Sequence, residues 1–572
     1  MPTLPKVLVI TYDVVGPVMA GPGIRAWEFA RVLGCSFPTT LAAPPPTPRE
    51  APGFAMVALP IGEGHRETLL TLIEEHDIIV AQVLPFPILP DSILDDKYFI
   101  VDLYCPWLIE NLEHYRMEEK KDPAWQSHDL ETMSALFSHG DFFVCAGDAQ
   151  RAYWLGALSL FGRLTEAVYA RDRDGKALID IVPFGMSPEP PRKTAAVLKG
   201  VVPGIEPDDF VALWGGGVWN WLDPLTLIRA TARLRDCGYP IRTFFLGTQR
   251  PSVNDAAAMR PTILDAVFQL SDDLHLTGTH VFFNERWVAY DDRANFLLES
   301  DVGLSLHQPT LETRFAFRTR VLDYLWSSLV PIVNDGDTIA DLVRANGVGK
   351  VVPIGDDAAL ADAIANLIDH PAERRALAAR CEMLAKSYTW EIAARPIIDF
   401  CHHPWKGTRG DRMASTALYD DLRTMRATLH ETSTYAEQLE REIAARDRHI
   451  AEIKAYIQRL ERQSVFPQLR ASLVARLHRT PSGKGEQSDS LMTFVRSDDL
   501  RTMRATLHET SSYAERLERE IAARDRHIAE IKAYVQRLER HVRLQGVGAS
   551  VTARLRRTPL RHIVRRIRRR TP

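Results

Sequence analysis

Residues 210–230 read FVALWGGGVWNWLDPLTLIRA and carry the clearest indication of the fold. This stretch opens with an apolar run that ends at Trp214, continues through three glycines, and passes near Asp223 into a pattern with helical spacing. A short apolar strand, a glycine-rich turn and a helix in this order are typical of a parallel α/β sheet with both faces covered. The stretch therefore predicts a Rossmann-like unit.

Strand candidates of the same kind occur along the first 400 residues, each a short β-rich run bounded by turn residues. In chain order they are 7–11, 78–81, 99–102, 142–146, 179–182, 210–214, 242–246, 280–283, 302–306, 331–334 and 349–352, with helical patterns such as 24–33 and 223–235 between them. About eleven strands are too many for one ordinary sheet. We therefore predict an α/β fold with two Rossmann-like domains, over 1–185 and 186–405.

The composition is that of an ordinary globular protein. The 572 residues carry a formal net charge of -4, with 45% hydrophobic and 25% charged residues, which argues against a general nucleic-acid binder. The six cysteines form no C-x-x-C pair, so neither a disulfide scaffold nor a cysteine zinc site is predicted. The N-terminus lacks the features of a signal peptide, and no apolar run reaches the roughly 18 residues of a membrane span. These features predict a cytoplasmic protein.

A near-perfect internal repeat follows the α/β region. Residues 420–462 recur at 498–540, and only three positions differ: Thr434/Ser512, Gln438/Arg516 and Ile457/Val535. Apolar residues recur in each copy at alternating spacings of three and four, which predicts coiled-coil segments over 413–481 and 498–540 with a linker at 482–497. Pairing within one chain, self-association between chains and a solvated single helix remain alternatives.

The segment 541–572 is strongly basic, with ten arginines and no acidic residue. Leu560, Ile563, Val564 and Ile567 fall at helical spacing among these arginines. A short basic amphipathic helix of this kind binds an anionic membrane surface, here the inner face of the plasma membrane. A solvated disordered tail is the alternative, and nucleic acid, which attracts the same charges, is not the expected partner.

Two glycine-rich turns are candidates for ligand binding. Gly21, Pro22 and Gly23 follow the first predicted strand and precede a helix with Arg25, and Gly215, Gly216, Gly217 and Trp219 hold the equivalent place in the second half. Glycines at such a turn let a diphosphate approach backbone N–H groups at the positive N-terminus of a helix. The alternative is a turn whose glycines serve geometry alone.

Charged residues cluster where the predicted strand 302–306 passes into a helix. The segment 312–323 reads ETRFAFRTRVLD and contains Glu312, Arg318, Arg320 and Asp323. Arginine makes bidentate contacts to phosphate, and a carboxylate suits ribose hydroxyls. The place of this segment after a parallel strand favours a functional site. A salt-bridged helix start on the surface is the alternative.

A metal site is not predicted. Asp172 and Asp174 form a D-x-D pair, but this pair lies in a polar loop beside Gly175. The sequence contains no H-E-x-x-H, P-loop or G-x-S-x-G motif. We therefore expect neither a metal nor another cofactor.

Several segments of the first 400 residues resemble the family 4 glycosyltransferases. The similarity lies in 11–33, in 101–104 with Glu110, in 141–150, in 182–185, and in 319–324, which reads TRVLDY where the family has T-K-x-x-E-Y. This resemblance implies the GT-B fold, in which two Rossmann domains face each other. It does not cover the coiled-coil half.

The resemblance also implies roles for individual residues. Asp323 replaces the ribose-binding glutamate that ends the family's E-x7-E motif, and Arg320 stands where lysine is common. Phe315 occupies the place of the first glutamate, three residues from Glu312. The cations that usually hold the donor diphosphate after the second glycine-rich turn are not evident near Trp219.

These observations together predict a glycosyltransferase. By resemblance, it retains the anomeric configuration and moves a sugar from a nucleotide-sugar donor to a glycan or lipid-linked acceptor in bacterial surface polysaccharide synthesis. The predicted catalytic residues are Glu312, Arg318 and Arg320, and the predicted donor-binding residues are Gly21, Gly23, Arg25, Gly215, Gly216, Gly217, Trp219 and Asp323. Two alternatives are a catalytically degenerate GT-B scaffold that recruits partners through its coiled coils and an epimerase with the same fold.

Overall fold

The computed structural model describes residues 4–406, apart from 46–50, 52, 63, 118–122 and 249–260, and four isolated helical positions between 441 and 455. The described residues from 4 to 406 belong to one compact unit. The predicted coiled-coil segments 413–481 and 498–540, the linker 482–497 and the basic tail 541–572 lie outside the described residues, except for those four positions. In the described part of the chain, no helix is long and apolar enough to cross a bilayer.

The first half is built on a seven-stranded parallel sheet with the order β3-β2-β1-β4-β5-β6-β7. Its strands are β1 Val7–Ile10, β2 Thr39–Ala43, β3 Ala55–Ala58, β4 Ile78–Ala81, β5 Tyr98–Asp102, β6 Phe142–Cys145 and β7 Ile179–Ile181. Its helices are α1 Gly21–Gly34, α2 His65–Glu74, α3 Asp91–Asp96, α4 Trp107–Met117, α5 Pro123–His139, α6 Asp148–Leu160 and α7 Glu166–Arg171. Buried apolar clusters cover both faces of the sheet, as expected for continuous apolar strands.

The second half is built on a six-stranded parallel sheet with the order β10-β9-β8-β11-β12-β13. Its strands are β8 Phe210–Trp214, β9 Ile241–Phe245, β10 Val281–Phe283, β11 Val302–Ser305, β12 Val330–Asn334 and β13 Lys350–Val352. Its helices are α8 Pro224–Asp236, α9 Ile263–Asp273, α10 Arg293–Leu298, α11 Leu311–Phe315, α12 Arg320–Trp326, α13 Thr338–Asn346, α14 Asp357–Asp369 and α15 Pro371–Ala385, followed by α16 Trp390–Ala393 and α17 Arg395–His402.

The predicted fold class is therefore confirmed. All eleven predicted strands are present, with ends that agree to within one residue. Strands β2 and β3 were not predicted, because β2 reads TTLAA with little apolar surface and β3 is a partly exposed edge strand. Helix α1 begins at Gly21 rather than Ile24, so the Gly-Pro-Gly segment forms its first turn.

A side-chain cap and a proline fix the start of α8, the helix that follows the glycine-rich turn 215–217. The side chain of Asp223 accepts hydrogen bonds from the backbone N and the hydroxyl of Thr226, at 3.1 and 2.6 Å. Pro224 follows as the first helical residue, where a missing N–H carries no penalty. The Asp-Pro pair thus ends the glycine-rich loop and begins the helix.

The chain passes from the first half to the second near Met186 and returns near Trp390, and these two segments are hydrogen-bonded to each other. The backbone N of Met186 donates to Tyr388 O at 2.8 Å, and Trp390 N donates to Met186 O at 3.1 Å. Beyond this crossing the chain returns to the first sheet, where the ring of Phe400 in α17 stacks on Phe142 of β6 at 4.9 Å. The last helices of the predicted 186–405 domain thus pack against the first half, and the domain boundaries stay predictions.

Candidate functional site

A cavity of about 470 Å³ lies between the two halves and is lined by both. The first half contributes the start of α1 and residues that follow β5 and β7, and the second half contributes loops after β8, β9, β10 and β11. In each sheet the strand order reverses direction beside the first strand, between β1 and β4 and between β8 and β11. Ligands of open α/β sheets bind outside the carboxyl ends of the strands at such reversals.

Eight of the eleven predicted site residues line this cavity. They are Gly21, Gly215, Gly216, Gly217, Trp219, Arg318, Arg320 and Asp323. The structure thus brings together the two glycine-rich segments and the arginine cluster, which the sequence separates by up to about 300 residues. Gly23, Arg25 and Glu312 do not line it.

The second glycine-rich turn is held in place by a buried tyrosine. The backbone N of Gly215 donates to the Tyr324 hydroxyl at 2.8 Å, and that hydroxyl donates to Leu304 O at 2.8 Å. A Cβ on Gly215 would lie 2.8 Å from the Tyr324 ring, and Gly216 has a φ of +90°. Both positions therefore require glycine. Burial raises the pKa of Tyr324 to about 12, so its hydroxyl keeps its proton.

Arg320, the first residue of α12, is the principal unpaired cation of the site. Its Nη2 donates to Gly217 O at 2.8 Å, and its guanidinium lies 4.8 Å from the ring of Trp214. Its Nη1 is buried and has no hydrogen-bond partner. Burial, with added repulsion from Arg318, lowers the pKa of Arg320 to about 10. The group is still charged at neutral pH, and an anionic oxygen would satisfy its open donor.

Arg318 is already paired. Its Nη1 and Nη2 donate to the two carboxylate oxygens of Glu312 at 2.8 and 2.6 Å, and both side chains are buried. Burial alone would lower the pKa of Arg318, but the attraction of Glu312 outweighs it, and the pKa rises. Glu312 was predicted to be catalytic, but its oxygens are engaged outside the cavity. The geometry instead makes it the partner that positions Arg318.

Asp323 lies at the cavity wall and is partly exposed. Its Oδ1 accepts from Arg293 Nε at 3.2 Å. The guanidinium of Arg293 lies between the rings of Tyr290, at 3.8 Å, and Trp326, at 4.7 Å. Sequence reasoning missed Arg293, the first residue of α10, and Tyr290, in the loop before it, because they lie about 30 residues before Asp323 and belong to no motif.

Arg25 has a structural role rather than the predicted ligand contact. Its Nε and Nη2 donate to the carboxylate of Asp102 at 2.7 and 2.9 Å, Nη2 also donates to Val182 O, and Nη1 donates to Pro183 O. Its exposed fraction is 1%. The ion pair ties α1 to the end of β5, the bonds to the two carbonyl oxygens tie it to the segment after β7, and Arg25 does not line the cavity.

Gly23 also serves packing. A Cβ at this position would lie 2.2 Å from the carbonyl oxygen of Val14, so the first turn of α1 packs directly against the preceding loop. Gly21, in contrast, lines the cavity, where a Cβ would lie 2.9 Å from the Tyr104 hydroxyl.

Tryptophans form an apolar part of the cavity wall. The rings of Trp219 and Trp221 stack at 5.7 Å with an angle of 10° between their planes. The indole of Trp287, which sequence reasoning missed, lies on Gly217 and Gly247. Its Nε1 donates to Met19 O of the first half at 2.9 Å. The wall therefore combines flat aromatic surfaces with the cation of Arg320.

The described residues contain no group of three or more His, Cys, Asp or Glu side chains that would suit a metal ion. In the D-x-D segment, the carboxylate of Asp172 accepts from the backbone N of Asp174 and Ala177, both at 2.9 Å. This carboxylate thus stabilises its own loop.

Comparison with known proteins gives a fold but no family. No family model and no curated protein matches the chain. Among solved structures, the chain is similar to sucrose-phosphate synthase from Thermosynechococcus elongatus, with 15% identity and a TM-score of 0.50 over 70% of this chain and 98% of that one. It is also similar to trehalose-6-phosphate synthase OtsA, with 13% identity and a TM-score of 0.51 over 70% of this chain and 100% of that one. The chain shares with them the GT-B arrangement of two Rossmann-like domains.

Proposed function

We propose that the chain is a glycosyltransferase that uses a nucleotide-sugar donor. The observation that carries the proposal is the buried, unpartnered Nη1 of Arg320, which stands beside the Gly215 to Gly217 turn in the cavity between the halves. A cation and a glycine turn at a strand-order reversal form a site for a phosphate-bearing ligand. The names of the two similar structures, both synthases of sugar phosphates, agree with this class of substrate.

The second half holds the nucleotide in this proposal. The backbone of the glycine turn and Arg320 contact the donor phosphates, and Asp323 accepts hydrogen bonds from the ribose hydroxyls. As the glycosidic bond to the phosphate breaks, negative charge grows on the leaving nucleotide. The guanidinium of Arg320 then stabilises that charge in a buried setting where electrostatic interactions are strong. This assignment requires no metal ion.

The first half holds the acceptor. Glu110 and Asn111 of α4 line the cavity together with Gly21 and Pro22, and in this proposal they form the acceptor side of the site. Contacts between the halves around the cavity would exclude water and limit hydrolysis of the donor. By resemblance to family 4, the acceptor is a glycan or a lipid-linked sugar, the product retains the anomeric configuration, and the pathway is bacterial surface polysaccharide synthesis.

The C-terminal region enters the proposal through its sequence alone. The duplicated coiled-coil segments would give self-association or a helical hairpin. The basic tail 541–572 would hold a cytoplasmic enzyme at the inner face of the plasma membrane, close to a lipid-linked acceptor.

A degenerate scaffold is the second candidate, and two observations favour it. The carboxylate of Asp323 is already paired with Arg293, and the guanidinium of Arg318 is already paired with Glu312. In this case the coiled coils would recruit partners, and the cavity would bind no donor. Nucleotide binding separates the two candidates.

The test is a panel of nucleotide sugars and nucleoside diphosphates added to the full chain. A ligand present at 100 times its dissociation constant stabilises the folded state by about 2.7 kcal/mol, which thermal unfolding detects. We expect one nucleotide series to stabilise the chain and its nucleotide sugar to be consumed in the presence of acceptor. Stabilisation by no member of the panel would favour the scaffold.

A further inference from the structure

We propose that Tyr290 is a positioning residue that couples closure of the two halves to the carboxylate of Asp323. The inference rests on the proposed function, because it takes Asp323 to be the ribose contact of the donor. Tyr290 belongs to the loop between β10 and α10 in the second half. One side of this residue contacts the first half, and the other side fixes Arg293, the partner of Asp323.

The first link is a set of hydrogen bonds across the two halves. The Tyr290 hydroxyl donates to Glu28 Oε1 in α1 at 3.0 Å, and the backbone N of Tyr290 donates to Pro17 O at 2.9 Å. The indole Nε1 of Trp287 in the same loop donates to Met19 O at 2.9 Å. These bonds form only while the loop lies against the first half.

The second link runs from Tyr290 to Asp323. The carbonyl oxygen of Tyr290 accepts from Arg293 Nη1 at 2.5 Å, and the Tyr290 ring lies 3.8 Å from the same guanidinium. Arg293 Nε in turn donates to Asp323 Oδ1 at 3.2 Å. The backbone, ring and hydroxyl of one residue therefore connect the position of α1 to the orientation of Arg293.

The surroundings make the hydroxyl a donor. Glu28 is buried and also accepts from Arg31 Nε at 2.6 Å, so its carboxyl group is held in place from both sides. Burial raises the pKa of Tyr290, and the nearby Glu28 adds to the effect. The Tyr290 hydroxyl is therefore protonated across the working pH range and donates to the carboxylate.

Opening of the cleft would break the bonds to Glu28 and Pro17 and release the ring and carbonyl that hold Arg293. The carboxylate of Asp323, which accepts hydrogen bonds from the ribose hydroxyls, would then be held differently by Arg293 in the open and closed states. A ligand shifts a conformational equilibrium only through different affinities for its states, and the coupling acts in both directions. Donor bound at Asp323 would favour closure, and the Tyr290 to Glu28 bond would tighten donor binding.

The test uses the full chain and the nucleoside diphosphate that binds it from a set of UDP, GDP, ADP and dTDP. Y290F removes the hydroxyl but keeps the ring beside Arg293. We expect its calorimetric affinity to fall about tenfold, within the usual range of allosteric coupling. Hydrogen exchange of the segment 284–293, which includes the amide of Tyr290 bonded to Pro17, should lose most of its protection by nucleotide. A purely local structural role would not change that ligand-dependent protection.

Y239F serves as a control, and variants of Glu28 test the Tyr290 to Glu28 bond from the first half. Y239F removes a hydroxyl that donates to Asp369 at 3.0 Å on the surface of the same half, and it should match the wild type. Glu28→Leu should weaken binding as Y290F does, the double variant should be no weaker than either, and Glu28→Gln, which keeps an acceptor oxygen, should bind close to the wild type. If Y290F lowers the melting temperature, Glu28→Leu tests the same bond from the other half.

The binding and exchange measurements distinguish a failure of the Tyr290 coupling from a failure of the proposed function. Equal affinity and equal exchange protection in Y290F, Glu28→Leu and the wild type would overturn the inference while leaving the proposed function intact. A wild-type chain that binds no nucleoside diphosphate would overturn the proposed function and, with it, the basis of the coupling.

Discussion

The side chain of Arg320 donates from Nη2 to the carbonyl oxygen of Gly217 at 2.8 Å. This bond joins the start of α12 to the turn after β8, so the cation and the glycine turn form one rigid unit. Because Nη2 is fixed in this way, the orientation of the buried and unpartnered Nη1 is also fixed. A ligand phosphate would meet a preorganised donor, which avoids the loss of side-chain freedom that binding otherwise causes.

Removal of the carboxylate at Asp323 should weaken donor binding. D323A should reduce the affinity for nucleoside diphosphate by about 1.5–3 kcal/mol, as for a lost hydrogen bond to a charged group. Folding should change little, because the carboxylate of Asp323 is partly exposed and the guanidinium of Arg293 keeps its bond to Tyr290 O and its contacts with the rings of Tyr290 and Trp326. Calorimetry with D357A as control, which removes a carboxylate from a surface pair with Arg233, checks this. Equal affinity in D323A and the wild type would remove the assignment.

Donor binding should depend on pH through Arg320. Its pKa lies near 10, below the usual value for arginine, because burial favours the neutral form. The guanidinium is therefore charged below this pH and neutral above it, so phosphate affinity should be constant near neutral pH and fall as the pH rises through about 10. Calorimetry between about pH 8 and about pH 11 measures the effect. The same slope in R320Q as in the wild type would show that another group is responsible.

Deletion of residues 413–572 should leave the α/β region folded. Residues 4–406 contain buried apolar clusters on both faces of their sheets, and regions with their own cores fold independently. Circular dichroism should show a lower helical content, and sedimentation should show a monomer where the full chain self-associates. If both chains are monomeric, pairing between chains is wrong, and a hairpin within one chain remains.

The basic tail should bind anionic membranes. Each cation near such a surface contributes about 1 kcal/mol, so flotation of the full chain with anionic liposomes should exceed that with neutral liposomes and decrease at higher salt. A chain that lacks 541–572 should not float. Flotation that persists in the truncated chain would exclude the tail as the anchor, and no flotation of the intact chain would exclude membrane contact.

The fold was predictable because its signals are local. Strand, glycine turn and helix follow one another within about 20 residues, and the Asp223 and Pro224 pair that begins α8 can be recognised without tertiary contacts. Strand β3 lacks such a signal, because a partly exposed edge strand needs no continuous apolar run.

The site was only partly predictable, because its ion pairs are not local. Arg25 follows a glycine-rich segment and resembles a phosphate ligand, yet its partner Asp102 lies 77 residues away and accepts from both its Nε and its Nη2. Arg293 and Tyr290 are in the cavity wall because Arg293 contacts α12 and Tyr290 contacts the first half, and no spacing in the sequence records either contact. Arg320 and Asp323 were found because a motif of adjacent residues carries them.

Whether Arg320 binds a donor phosphate can be measured by calorimetric titration of nucleoside diphosphates into the full chain, with R320Q and the surface variant R233Q as a matched pair. Arg320 has a buried, unpaired donor in the cavity, whereas Arg233 is paired with Asp357 at the surface. We expect one nucleoside diphosphate to bind the wild type and R233Q alike and to bind R320Q at least about tenfold more weakly, a loss of about 1.4 kcal/mol. Absence of binding to the wild type, or equal binding to R320Q, would contradict it.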